Sequence, residues 1–189
     1  MRVSLDLDGV SSPIVMSLHE EDEQVSREIL EQGIWEAFET AIVINRLKPG
    51  NVFIDVGANI GYYTLLASSI VGMEGQVIAF EPERKNFELL RSNSIQHVVA
   101  NIRTINAGLS DEEGQRQLYL SEDNLGDHRL FDDESRTGQR VNLIVGDQQL
   151  QRDCERIDFL KIDTQGAEAH VVEGLQETIA ANQEHLDML

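Results

Sequence analysis

A single cysteine, Cys154, leaves the chain unable to form a disulfide within itself, so oxidative stapling contributes nothing to its stability. Positive charge is scarce too. The 15 Lys and Arg residues stand against 34 Asp and Glu, for a formal net charge of −19 at pH 7. Such a chain repels a polyphosphate backbone, and no basic stretch interleaved with aromatics offsets that repulsion, which argues against DNA or RNA as a partner. Lysine occurs only at Lys48, Lys85 and Lys161. No apolar run approaches the length needed to span a bilayer, and no basic-plus-apolar leader opens the chain, so a cytoplasmic enzyme is expected. Internal repeats and low-complexity segments are also missing. Asp6-x-Asp8-Gly9 has the start of a calcium loop without its remaining ligands, so it reads as a turn and no metal site is expected.

What is present is enough for one domain. The 189 residues are 41% hydrophobic, a composition that supports a single substantial core. The most informative stretch runs from Asn51 to Ser69. Val52, Phe53, Ile54 and Val56 surround Asp55 in what reads as a short buried strand. The chain then turns through Gly57-Ala58-Asn59-Ile60-Gly61 and enters an apolar helical run, Tyr62 to Val71. Strand, glycine-bearing turn and helix make the first half of a βαβ unit that binds a nucleotide-like ligand at the strand's carboxyl end. The glycines are expected to let the backbone approach a ligand, and the helix start to offer N–H groups to it.

The spacing separates the possible ligands. A dinucleotide fingerprint would read G-x-G-x-x-G; here the pattern is Asp55-x-Gly57-x-x-x-Gly61. About 26 residues after Asp55, a second apolar strand, Val77 to Phe80, ends in Glu81-Pro82. A carboxylate at that point can accept hydrogen bonds from both ribose hydroxyls, a geometry shared by NAD and S-adenosylmethionine sites. An NAD-dependent oxidoreductase stays open, disfavoured by the missing middle glycine, and Gln165 with the short C-terminus keeps a non-catalytic cofactor-binding scaffold open as well.

Three blocks, V-F-I-D-V-G-A-N-I-G-Y-Y-T, V-I-A-F-E-P-E-R-K-N-F-E-L-L-R-S-N and I-D-F-L-K-I-D-T-Q-G-A-E, resemble the signatures of FkbM-type methyltransferases from about Gly33 onward. These are class I, S-adenosylmethionine-dependent enzymes that mostly methylate hydroxyl oxygens. The resemblance implies S-adenosyl-L-methionine as cofactor, with Asp55 ordering the turn and the cofactor's amino group. It places Gly57, Ala58, Asn59 and Gly61 along the methionine part and Glu81-Pro82 at the ribose. Asn106 and Ala107, after the third strand, would border the adenine by analogy. A similar aromatic-Glu-x-x-x-Thr pattern in the family is matched by Trp35-Glu36 and Thr40, which implies a helix lying over the cofactor. One departure stands out: the family carries an acidic residue where this chain has Gln165.

The third block reads as a buried parallel strand, Ile157 to Asp163, with Phe159, Lys161 and Asp163 on one face and Leu160 and Ile162 on the other. A lysine there needs a partner or a job, since an unpaired buried ammonium is costly; Asp163 and Asp55 are the available carboxylates. Asp163, with Lys161 behind it, is the candidate to orient or deprotonate an acceptor hydroxyl.

Elsewhere, Val3 to Leu7 and Ile14 to Leu18 suggest a hairpin, and the acidic run Glu20 to Glu23 suits the start of a helix carrying Val25, Ile29 and Leu30. A helix from Trp35 to Leu47 would pack through Trp35, Phe38, Ile42 and Leu47. A helix from Arg84 to Gln96 would turn Phe87, Leu90 and Ile95 to the sheet, and Asn101 to Leu109 reads as the third strand. Gln117 to Leu120 and Val141 to Val145 read as strands around an irregular Ser121–Arg140 section, in which Asp127-His128-Arg129 is a candidate to face substrate. A final helix is expected from Ala167 to Ala181.

The expected fold is an α/β, Rossmann-like three-layer α/β/α sandwich of the class I methyltransferase type, with an N-terminal β-hairpin and a β insertion before strand four. Residues 1–50 would form the hairpin and a helical cap, and residues 51–189 the S-adenosylmethionine-binding domain. The resemblance implies a seven-stranded sheet of order 3-2-1-4-5-7-6. Four of its strands are countable, the fifth would be starting at Leu186–Leu189, and a fragment lacking the C-terminal strands is expected. The expected partner is a small-molecule or sugar hydroxyl.

Overall fold

The computed structural model describes residues 1–121, 126 and 137–189, so Asp127-His128-Arg129 lies outside the described residues. The chain opens with the hairpin β1 (Arg2–Leu5) and β2 (Ile14–Ser17), followed by helices α1 (Val25–Gln32) and α2 (Ala37–Arg46). Asp22, buried, accepts from the Ser26 backbone N–H at 2.7 Å, so the acidic run does serve the start of α1.

β3 (Val52–Val56), α3 (Tyr62–Val71), β4 (Gln76–Phe80), α4 (Arg84–Gln96) and β5 (Ile102–Ile105) form two successive βαβ crossovers. A second, three-stranded sheet follows: β6 (Gly108–Ser110), β7 (Gly114–Leu120) and β8 (Thr137–Val145), in the order β6-β8-β7. The chain then passes through α5 (Gly146–Asp153) to β9 (Phe159–Ile162), α6 (Glu168–Glu173), α7 (Gln176–Asn182) and β10 (Asp187–Met188). The main sheet has the order β10-β9-β3-β4-β5, all parallel. β10 therefore lies beside β9, the place expected of the fifth strand.

Alternation along the strands divides the core into two layers. Phe53, Val77 and Phe159 face the hairpin, α2 and α3, with the Phe53 and Phe159 rings 5.4 Å apart. Ile54, Val56, Ile78, Phe80 and Leu160 face Leu150 of α5, Val171 of α6 and Ile179 of α7. Helices thus cover both faces, and the three-layer sandwich is the observed architecture.

Several boundaries differ from expectation, each for a local reason. The strand read over Asn101–Leu109 is two strands in two sheets. The Asn106 side-chain amide donates to the Glu81 carbonyl at 2.8 Å, and the Ala107 N–H donates to the Ile105 carbonyl, which turns the chain out of the main sheet. The last helix breaks at Gly174, where a Cβ would stand 2.0 Å from the Ser110 carbonyl oxygen. α7 restarts with the Glu177 and Thr178 amides of its first turn donating to Asp147. Phe38 and Ile95, expected to pack, are 75% and 72% exposed, and Leu30 is exposed as well. α2 begins at Ala37 rather than Trp35, and α4 meets the sheet through Leu90, so both outlying side chains fall on outer faces.

Candidate functional site

The site forms where β3, β4 and β9 end together. The register pairs Val56 with Phe80 on one side and with Ile162 on the other, so Gly57, Glu81 and Asp163 follow as one row at the carboxyl edge. A crevice opens there, with Gly57, Ala58, Asn59, Glu81 and Pro82 on one side. Lys161, Asp163, Thr164 and Gln165 line another part, and Trp35, Glu36, Tyr62 and Tyr63 also reach it.

A Cβ on Gly57, whose φ is +80°, would stand 1.9 Å from the Asp163 carbonyl oxygen, and one on Gly61, at φ +96°, would meet the Leu90 side chain at 2.7 Å. Both glycines thus allow the close approach of chain to chain, and Gly57 lines the crevice as well. The bend is tied across the strand tips: the Gly57 and Ala58 N–H groups both donate to the Phe80 carbonyl at 3.0 Å.

Glu81 completes that tie. Its Oε2 accepts from the Asn59 N–H and its Oε1 from the Glu83 N–H, both at 2.8 Å, and burial pushes its carboxyl up to about 8. In its ionised form each oxygen keeps a second lone pair, so a ribose diol can still be received. Asp55 lies beneath the crevice and does not line it. Fully buried, it accepts from the Thr64 hydroxyl at 2.6 Å, and burial raises its carboxyl above the ordinary range. It is also the direct cross-strand neighbour of Lys161. Asn106 and Ala107 stand outside the crevice as well, where Gly108 and Leu109 form the wall; the Asn106 amide is committed to the Glu81 and Pro82 carbonyls.

At the other end, Lys161 is buried under the Tyr63 ring, 4.7 Å from its centroid, and donates to Asp163 Oδ2 at 3.4 Å. Asp163 Oδ1 accepts from Gln165 Nε2 at 2.8 Å, so Gln165 holds Asp163 in place. The Tyr63 hydroxyl donates to Glu36 Oε2 at 3.0 Å. Burial raises the Glu36 carboxyl and pushes the Tyr63 phenol far upward.

Among the described residues, the non-glycine positions with left-handed backbone are Glu36 (φ 42°), Asn59 (φ 50°) and Gln165 (φ 54°). All three line this one crevice. Such conformations cost of order 1 kcal/mol or more each and concentrate where function holds them. Glu36, Tyr63 and Gln165 are among the lining residues to which the sequence alone assigns no role. Only the Trp35-Glu36…Thr40 pattern signalled that part of the wall.

A cofactor with an amino-acid tail fits this lining on one specific observation. Asn59 Oδ1, a buried acceptor in the crevice wall, has no hydrogen-bond partner among the described residues. It offers itself to an ammonium, while Glu81 offers itself to a diol. The model of the methyltransferase FkbM domain matches residues 55–186. The chain belongs to that family.

Known proteins agree with the assignment. The FkbM domain is 42% identical over 77 residues to the 31-O-demethyl-FK506 methyltransferase FkbM of Streptomyces tacrolimicus, covering 41% of this chain and 29% of that protein. It is 26% identical over 162 residues to methyltransferase sdnD of Sordaria araneosa, covering 68% of this chain and 62% of that protein. The chain thus spans less than two thirds of the length of these curated relatives. Among solved structures, a protein described as an rRNA-methylase from Clostridium thermocellum superposes with a TM-score of 0.50 at 11% identity, over 77% of this chain and 62% of that one. That likeness establishes the class I Rossmann-like fold, and the family makes S-adenosylmethionine the cofactor of the FkbM domain. No helix among the described residues is long and apolar enough to cross a membrane.

Proposed function

We propose that the FkbM domain methylates a hydroxyl oxygen of a small, uncharged metabolite or sugar. The observation that carries this reading is the crevice itself: the Asn59–Glu81 contact joins the β3 and β4 tips into one cofactor seat, with Asp163, Lys161 and Glu36 at its far end. S-adenosylmethionine supplies an already activated methyl group on a positive sulfur, so the protein's share is alignment and proton handling. Glu81 receives the ribose, Asn59 the amino group, and Pro82 borders the nucleoside. Asp55 acts from below, fixing Thr64 at the start of α3 and balancing Lys161. Asp163 orients the acceptor hydroxyl, held by Gln165 and Lys161.

Two carboxylates, Glu36 and Asp163, share that end with one ammonium, a balance that disfavours anionic acceptors. The name of the Streptomyces relative points to O-methylation. The rRNA-methylase likeness does not extend to substrate here, because a net charge of −19 opposes an RNA backbone. Two measurements test the reading. S-adenosylhomocysteine should raise the melting temperature and NADH should not. A panel of hydroxylated compounds given labelled S-adenosylmethionine should yield a methyl ether; binding with no transfer to any of them would favour a scaffold instead.

A further inference from the structure

The end of the crevice away from Glu81 holds two carboxylates, and their surroundings differ. Both oxygens of Asp163 are already engaged, Oδ1 by the Gln165 amide and Oδ2 by the Lys161 ammonium. A carboxylate held on both sides by donors is well placed to orient a hydroxyl and poorly disposed to take its proton. Glu36 is in the opposite condition. It stands just ahead of α2 on left-handed backbone, a conformation that gives a glutamate no packing advantage and that glycine or asparagine would adopt at lower cost.

The neighbours of Glu36 are built to keep it there. The buried Thr40 hydroxyl donates to the Trp35 carbonyl at 2.6 Å and lies 3.3 Å from the Tyr62 hydroxyl, which pins the Trp35–Glu36 turn to α3. Tyr63, one residue on, donates its hydroxyl to Glu36 Oε2 and covers Lys161 with its ring. A strained backbone, a dedicated donor and a place in the crevice wall together exceed what a structural hydrogen bond needs.

We propose that Glu36 faces the position of the transferring methyl group and is the base that accepts the proton of the acceptor hydroxyl, with Tyr63 as its positioning residue. This deepens the O-methyltransferase reading and rests on it. Glu36 takes the hydroxyl proton while the oxygen's lone pair forms the new O–C bond. The electron pair of the broken S–C bond returns to sulfur, and Glu36 later releases the proton to solvent. Burial, which raises the carboxyl of Glu36, suits it to this task, and the charged and titratable groups around it are Asp163, Lys161, Glu39, Tyr62 and Tyr63.

The test needs no acceptor. Sinefungin carries an ammonium where S-adenosylmethionine carries its methyl group, whereas S-adenosylhomocysteine carries nothing there. The ratio of the two affinities, measured by calorimetry, therefore reads the charge facing the methyl position. Glu36→Gln should cut the preference for sinefungin about tenfold while leaving S-adenosylhomocysteine affinity within about twofold, and Tyr63→Phe should cut it by about threefold. Asp163→Asn should move the ratio less than Glu36→Gln does. An unchanged ratio in Glu36→Gln, or an equal or larger loss in Asp163→Asn, overturns the assignment while leaving the methyltransferase reading intact. Failure of the unaltered protein to bind either compound overturns both.

Discussion

The two ends of the crevice are made by different means. The cofactor seat is built from backbone: Gly57 packed on the Asp163 carbonyl, two amides on the Phe80 carbonyl, and the Asn59 and Glu83 amides on Glu81. The end proposed to receive the acceptor is built from side chains: Glu36, Tyr63, Lys161, Asp163 and Gln165, joined by contacts of 2.8 to 3.4 Å. Backbone cannot be exchanged for another chemistry without unmaking the strand tips. Side chains can. Substitutions at the first end should therefore cost stability or cofactor affinity, and substitutions at the second should cost selectivity with the fold retained.

The sharpest way to break that contrast is Gly57→Ala. A Cβ 1.9 Å from the Asp163 carbonyl forces β3 and β9 apart, so a loss of about 3–5 kcal/mol in denaturant unfolding is expected. A loss under about 1 kcal/mol would show that the tips are not close-packed. Next in size, Glu81→Ala should lower S-adenosylhomocysteine affinity about a hundredfold with the far-ultraviolet spectrum unchanged. Unaltered calorimetric binding would remove Glu81 from the seat.

A smaller effect separates the ends by pH. The Glu81 carboxyl stands at about 8 in the fold against an ordinary 4.5, so the folded protein holds this proton more tightly than the unfolded chain does. Its contribution is fully present below about 4.5 and is lost as pH rises through about 8. Asp55 and Glu36, also raised by burial, act in the same direction. His97, lowered by burial, acts oppositely at the acid end of that window. The informative quantity is thus the difference between the unaltered protein and Glu81→Gln, whose stability should fall less between pH 5 and pH 8. Equal slopes would refute the buried-carboxyl account. The least effect is expected from Gln165→Gly: release from left-handed strain offsets the lost Asp163 contact, leaving stability within about 1 kcal/mol.

The strand-turn-helix from Val52, the acidic tip at Glu81 and the alternation around Lys161 were all legible from residue order, because each depends on local periodicity and spacing. The hairpin and the bounds of α4 were legible for the same reason. The division of Asn101–Leu109 was not, since the deciding contact joins Asn106 to Glu81, 25 positions away in sequence. The outward placement of Phe38 and Ile95 escaped notice because an apolar side chain does not announce which helix face meets the sheet.

Pattern alone determined the kind of fold and the edge of the sheet where a ligand sits, since alternating strands and helices with a glycine bend admit few arrangements. Only the tertiary structure decided what the glycine bend packs against, and which carboxylates share one end of the crevice. Those outcomes depend on how closely separate strand tips approach and on two residues, Glu36 and Gln165, held in a left-handed conformation that no local preference of theirs would select.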